Sequence, residues 1–369
     1  MSKESKALEK KASQAWTSKR VFDMILNNAL IIIMVIAVIY IAIRNPNFIR
    51  KASIINILSQ TCAYLPVALG IGGCIVLTGT DLSAGRIVGL TACVSASLLQ
   101  AVTASSKMWP NVTPPPVLLV LALAMVIGAA FGAFNGFFVA KFKLHPFIVT
   151  LATQLIVYTL LLLYVKAGNN NGMAISGLDA SYSSFITGCP DFIKTLTGGI
   201  AIPNYVWIAL VCTVIMWFIW NKTTFGKNMF ALGANEETAR LSGINTVRWK
   251  VGVYMLSGFL AAVAGMVVMI RTNSLQPTVG DGLEFQAVVA AVLGGNSMKG
   301  GKGSIPGALF GALTLFTVRN AMSLWGIDTS VVMVVIGCIL VFGMILNEAV
   351  TRLSVKKRLT GKKGEKAAA

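Results

Sequence analysis

Residues 117–140 read VLLVLALAMVIGAAFGAFNGFFVA, with no Asp, Glu, Lys or Arg among them. A run of roughly 20 apolar residues matches the hydrocarbon thickness of a bilayer when it is helical. Gly128, Ala129, Ala130, Gly132, Ala133 and Gly136 gather in it. Small residues at that density let helix backbones approach closely, as in a membrane bundle. They suit a seam within one chain and a homodimer seam equally.

The rest of the chain repeats the pattern. Of 369 residues 56% are hydrophobic and only 12% charged, with a mean hydropathy of +0.76. A soluble domain carries about 25% charged residues, so the surplus apolar surface must face lipid. Apolar runs bounded by polar residues fall at 25–43, 54–78, 85–104, 117–140, 146–165, 203–220, 251–270, 285–298, 304–323 and 330–349. The fold predicted is an all-α integral membrane protein of about ten transmembrane helices. Span 54–78 contains Pro66 and several glycines and is expected to be broken, and 285–298 is too short for a straight crossing. The organisation is a basic tail (1–24), a transmembrane domain (25–350) and a second basic tail (351–369). The run at 25–43 is long and no small-residue cleavage pattern follows it, so it reads as a retained first span.

A net charge of +18 raises nucleic-acid binding, but the charge sits at the wrong places. Lys3, Lys6, Lys10, Lys11, Lys19 and Arg20 crowd one terminus; Arg352, Lys356, Lys357, Arg358, Lys362, Lys363 and Lys366 crowd the other. Both clusters abut apolar spans, and basic flanks stay in the cytoplasm. An even count of spans puts both there. Lys141, Lys143, Lys222, Lys227, Arg240, Arg248 and Lys250 then also fall inside, against a sparser set outside (Arg44, Arg50, Lys51, Lys107, Lys166, Lys194, Arg271). The long external stretch 166–202 has room for a short helix or a folded-back loop, and reads as a solvated loop or a docking surface.

The six cysteines make no C-x-x-C, which leaves neither a zinc site nor a disulfide framework. His145 precedes Pro146 as a helix-start residue, and a single histidine cannot build a metal centre. Trp207, Trp217, Trp220 and Trp325 lie near or within span ends, where indoles anchor at interfaces.

Two Gly-rich stretches carry the chemistry. Gly79-Thr80-Asp81-Leu82-Ser83-Ala84-Gly85-Arg86 separates two strongly apolar runs. Ionisable groups at membrane depth face a cavity or each other, and glycine permits non-helical backbone there. The stretch reads either as a bend lining a transport path or as an interfacial turn with a capping Asp81 and a snorkelling Arg86. Gly295-Asn296-Ser297-Met298-Lys299-Gly300-Gly301-Lys302 has a similar layout, with a glycine, a small polar residue and a base seven positions on. An internal repeat of the kind that builds transporters would produce the pair. Pathway candidates are Gly79, Thr80, Asp81, Ser83, Arg86, Gly295, Asn296 and Ser297. Gly301-Lys302 is no phosphate-binding loop: Asn296 stands where the earlier glycine is required and Gly303 where Ser or Thr is. Any nucleotide hydrolysis belongs to another chain.

On the inner face, Gly233-Ala234-Asn235-Glu236-Glu237-Thr238-Ala239-Arg240-Leu241-Ser242-Gly243-Ile244 predicts a helix of about two turns, with Asn235 as N-cap, acids in the first turn and Gly243 at its end. Such a helix is either an ordinary loop helix or a lever for a partner.

These stretches resemble the membrane permeases of bacterial ABC sugar importers of the ribose, xylose, arabinose and galactose group, over about residues 25–350. Leu77–Arg86, Trp220–Asn228 and Ser176-Gly177 look like the galactose/methyl-galactoside members; Ala84 and Arg86 stand where ribose-type members read D-L-S-V-G-S. The resemblance implies a non-enzymatic subunit of the bacterial inner membrane that pairs with a second copy of itself. It implies a cytoplasmic ATPase with two nucleotide sites, a periplasmic sugar-binding protein and no cofactor or metal. Importer permeases carry an E-A-A-x-x-x-G coupling motif, which Glu237-Thr238-Ala239-Arg240-Leu241-Ser242-Gly243 matches with Thr238 for the first Ala. The resemblance therefore makes Glu236, Glu237, Ala239, Arg240 and Gly243 the coupling residues. The basic tails lie outside the family pattern and suit anionic lipid. A rival, ion-coupled transport, would need intramembrane carboxylates, for which Asp81 and Glu284 are nearly the only candidates.

Overall fold

The computed structural model describes residues 36, 39–189, 191–196, 202–272, 274–328, 330–339 and 341–345. The chain divides into Lys51–Asp328 and a second unit drawn from the two flanking segments. In the second unit Pro46–Ile49 form a 3-10 turn, capped by the Asn45 side chain, which accepts from the Asn47 amide. Its apolar helix spans Ser330–Ile345. The two basic tails and most of the first expected span lie outside the described residues.

Among the described residues of the large unit, the regular structure is helical apart from one two-residue ribbon and an isolated bridge. Its helices are α1 (Lys51–Val76), α2 (Ala84–Leu98), α3 (Val117–Lys141), α4 (Pro146–Lys166), α5 (Ala180–Thr187), α6 (Asp191–Leu196), α7 (Asn204–Lys222), α8 (Thr224–Ala234), α9 (Glu236–Leu241), α10 (Thr246–Thr272), α11 (Leu283–Leu293) and α12 (Ile305–Leu324). The strands β1 (Ile175–Ser176) and β2 (Ser274–Leu275) pair antiparallel, Ile175 against Leu275. Among the described residues, α1, α3, α4, α7 and α10 are long and apolar enough to cross a bilayer. α12 has the length, at 20 residues, and carries Arg319 and Asn320 near its end.

Two expectations are corrected and one is met. α1 runs unbroken through Pro66, which is buried inside it; neighbouring helices tolerate the missing amide in a membrane helix. The run at 85–104 gives only the 15-residue α2, whereas 285–298, expected to be too short for a straight crossing, does give the 11-residue α11. At 1.5 Å per residue these reach about 22 and 16 Å, short of the roughly 30 Å core. Beyond Leu98 the chain instead turns round Gln100. Its amide donates to the carbonyls of Ser106 and Ser176 and its carbonyl accepts from the Met108 amide. Among the described residues of 166–202, which had room for a short helix, stand β1, paired with β2, and α5, whose N-cap Asp179 accepts from the Ser181 amide. His145 does sit at the N-cap of α4.

α10 is the most buried of the five long helices and packs against α3, α1 and α2. The glycine stripe of α3 faces it. A Cβ at Gly128 would lie 2.2 Å from the Gly258 carbonyl oxygen, and one at Gly132 only 2.1 Å from that of Tyr254. The stripe is thus spent on a seam inside the chain, not on a second copy. Contact at this range turns backbone into packing surface, which is what holds helices together where lipid is as apolar as the side chains.

Candidate functional site

Helix ends bring the Gly-rich stretches together. α1 closes with Thr78 in the left-handed region (φ 61°), its amide donating to Ile75 and that of Gly79 to Cys74. This is the two-bond helix stop that glycine normally serves. α11 closes the same way on Gly295 (φ 84°), with Gly295 donating to Val292 and Asn296 to Ala291. By backbone, then, Gly295 corresponds to Thr78 and not to Gly79, one residue off the match seen in sequence. The two stops touch: the Gly301 amide donates to the Val76 carbonyl at 2.9 Å. A Cβ at Gly233, near the end of α8, would come 1.8 Å from that same carbonyl oxygen. One junction therefore joins the end of α1, the loop after α11 and the helix that leads into α9.

Asp81 lies in the turn between α1 and α2, fully buried. Its Oδ1 accepts from the Ser83 hydroxyl (2.7 Å), the Ser83 amide (3.2 Å) and the Asn135 amide (3.5 Å), and its Oδ2 from the Ser257 hydroxyl (2.8 Å). Asn135 also donates to Ser83 Oγ at 2.8 Å. Asn135 comes from α3 and Ser257 from α10, so the carboxylate knots two helices to the turn. Thr80 contributes its carbonyl to Tyr254 Oη at 3.4 Å. Gly79 is required by the same tyrosine, whose hydroxyl a Cβ would meet at 2.3 Å. Asn296 is buried, its Oδ1 accepting from the Ser304 amide at the start of α12, while Ser297 donates its amide to Lys302 across the loop.

Arg86 does not snorkel. It points across α2 to Asp281, at 2.7 Å, and lies over the ring of Tyr158, 4.2 Å from its centre. Its side chain is 10% exposed and that of Asp281 60%. Glu284 is buried beside it and accepts from Gln154 Nε2 at 3.2 Å. The sequence had named Glu284 as a carboxylate of interest but offered no partner for it; Asp281, Gln154, Tyr158, Asn135 and Ser257 were not singled out at all. Asn135 was detectable as the lone amide in an otherwise apolar run.

α9 forms as its capping residues require. Asn235 Oδ1 accepts from the Thr238 amide at 2.9 Å. At the other end Gly243 (φ 83°) donates to Arg240 and Ile244 to Ala239, the same two-bond stop. Ala239 is buried, whereas Leu241 is 78% exposed. Glu237 and Arg240 pair at 2.5 Å on the outer face. The Arg240 guanidinium holds the Glu237 carboxyl below the usual carboxylate range, so the pair stays charged through neutral pH. Glu236 turns inward to Lys250 of α10 at 2.6 Å. A short polar helix with one apolar residue in the open is thereby strapped to the central helix.

Residues 53–344 match the family described as branched-chain amino acid transport system / permease component. The chain belongs to this permease family. Its curated relatives include the galactose/methyl galactoside import permease protein MglC of Escherichia coli, 34% identical over 316 residues, which is 86% of this chain and 92% of that one. MglC of Haemophilus influenzae is 36% identical over 299 residues (81% and 87%). The ribose import permease protein RbsC of Bacillus subtilis is 35% identical over 312 residues (85% and 89%). No solved structure matches. The permease is a multi-pass membrane protein, and its apolar helices α3, α4 and α7 leave large hydrophobic side chains exposed along their length.

Proposed function

We propose that this chain is the membrane-spanning subunit of an ATP-driven importer that carries a monosaccharide across a bacterial inner membrane. Galactose, methyl galactoside or glucose is the first reading of the cargo. The working assembly has two copies of the permease, a cytoplasmic ATPase with two nucleotide sites and a periplasmic sugar-binding protein. The chain crosses about ten times with both basic tails inside, which places α8, α9 and the α1–α11 junction on the inner side.

One observation carries the reading: α9 is an exposed, doubly capped helix whose base is tied to α10 by Glu236–Lys250. A helix so held transmits a push from an ATPase groove into the bundle. Glu237, Arg240 and Leu241 form its outward face, and Ala239 and Gly243 set its seating and its end. The junction beside it is the part that moves. Gly79, Thr80, Gly295, Asn296 and Ser297 form the irregular backbone at the inner end of the path, with Asp81 and Ser83 as its fastening. Arg86 faces the path itself.

Labelled sugar uptake in a strain lacking its own importers tests this. Gly243→Leu should abolish uptake while the permease remains in the membrane, because a bulky residue strains the left-handed position by about 1–2 kcal/mol and displaces α9. Normal uptake by that variant rejects the coupling role. Ribose is the second reading, favoured by the likeness to RbsC; comparing initial rates for galactose and ribose separates the two.

A further inference from the structure

The segment between β2 and α11 (276–282) is not helical. It leaves the β1–β2 ribbon and reaches α2 as a series of turns, Val279 donating to Gln276, Asp281 to Thr278 and Leu283 to Gly280. Its backbone lies hard on α2: a Cβ at Gly89 would sit 2.3 Å from the Val279 carbonyl oxygen, and one at Gly85 2.5 Å from that of Gly280. Its Asp281 pairs with Arg86 of α2, which lies over Tyr158 of α4, and Glu284, at the start of α11, takes a hydrogen bond from Gln154 of α4. Gln154 and Tyr158 stand midway along the 21-residue α4, about 12–18 Å from its start. Irregular backbone at that depth occurs only where protein covers it or where it lines a watery cavity. The half-exposed Asp281 carboxylate, with Gln276 and Thr278 exposed on the same segment, favours the second case.

Two atoms in this cluster are buried and make no hydrogen bond to the protein: Nη1 of Arg86 and Oε2 of Glu284. One is a donor and the other an acceptor. Glu284 Oε2 presses on α2 at Gly85, next to Arg86, where a Cβ would come within 2.0 Å of it. Unsatisfied groups at that burial cost about 1–3 kcal/mol each, more when charged. An ion of either sign meets a repelling partner here, because guanidinium and carboxylates stand together. A neutral polyol does not: each hydroxyl both donates and accepts, so neighbouring hydroxyls satisfy Glu284 and Arg86 at once.

We infer that Arg86, Asp281, Glu284 and Gln154 form a weak stopping site for the sugar's hydroxyls halfway along the path. The inference rests on the monosaccharide reading above and adds the place where the permease itself touches its cargo. Selection is then shared between the binding protein and this chain. Binding must be loose, since a site on a path has to release what it holds.

The test is the assembled importer, with ATPase and binding protein, in proteoliposomes. Labelled D-galactose and D-ribose uptake is measured together with ATP hydrolysis. Glu284→Gln and, as a second variant, Arg86→Lys each alter one of the two unbonded groups. Expected is a fall of about 10-fold in uptake per ATP hydrolysed, as for loss of one charged hydrogen bond. Hydrolysis itself should stay within about 2-fold and the galactose-to-ribose ratio should shift. Uptake and hydrolysis falling in parallel, with the ratio unchanged, would make the cluster a structural brace and overturn the inference; so would unchanged uptake. Wild-type vesicles that move neither sugar would instead sink the monosaccharide reading, and this site with it.

Discussion

Asp81 and Arg86 share one short stretch, yet their surroundings differ in kind. Asp81 is fully buried, and both of its oxygens are met by hydroxyl and amide donors from the turn, α3 and α10. Arg86 and its neighbour Glu284 are nearly as buried, but each keeps an atom that nothing in the protein answers. A charge whose two oxygens both have donors within the protein has its role within the fold. A charge left partly open at similar depth is ready for something that comes and goes. The contrast separates fastening from traffic, which residue type and sequence position do not.

The largest effect should come from breaking the fastening. Asp81→Ala strips the acceptor from Ser83, Asn135 and Ser257 together, at about 1–3 kcal/mol per abandoned group. A fall in Tm of the detergent-solubilised permease, with loss of a single gel-filtration peak, is expected; an unchanged Tm would make the knot ornamental. Next is the seam that brings Asn135 and Ser257 to Asp81. Gly132→Val drives a branched side chain into the Tyr254 backbone and should cost about 1–3 kcal/mol or more. The knot and the seam should then fail together, which a double variant would show as sub-additive loss.

A smaller effect of opposite sign belongs to Thr78, a β-branched residue held at φ 61°. Thr78→Gly removes that strain and should raise thermal stability by up to about 1 kcal/mol. If uptake slows while Tm rises, the strain has a use in the moving junction. Smallest on stability is Glu284→Gln, whose shape is kept and whose Oε2 position has no protein partner to lose. A change below about 0.5 kcal/mol is expected, alongside the transport defect described above. A large loss of Tm in this variant would erase the contrast with Asp81.

What the sequence disclosed follows the range of the forces involved. α9 was legible to the residue because its caps, Asn235 and Gly243, act over three or four positions. Long apolar runs marked α1, α3, α4, α7 and α10, since the bilayer sets their length. The half-length of α2 was hidden because the stop at Leu98 depends on Gln100 reaching Ser176, far along the chain. Pro66 suggested a break that tertiary packing overrides. The glycine stripe on α3 announced a close neighbour without saying which, and only the fold names α10. Asp81 and Arg86 stood out as charges among apolar residues, but Asn135, Ser257 and Asp281 are joined to them across long separations that no local pattern records.

α10 is one uninterrupted helix from Thr246 to Thr272, strapped to α9 at Lys250 and followed by the β2 strand at Ser274–Leu275. From Lys250 to Thr272 it runs about 33 Å as continuous helix. A rod has no slack, so a displacement at one membrane surface arrives at the other within the time of a rigid-body tilt. In the importer proposed above, the two ends of the path are then coupled through this one helix, so that a push on α9 is also a push on the β1–β2 ribbon.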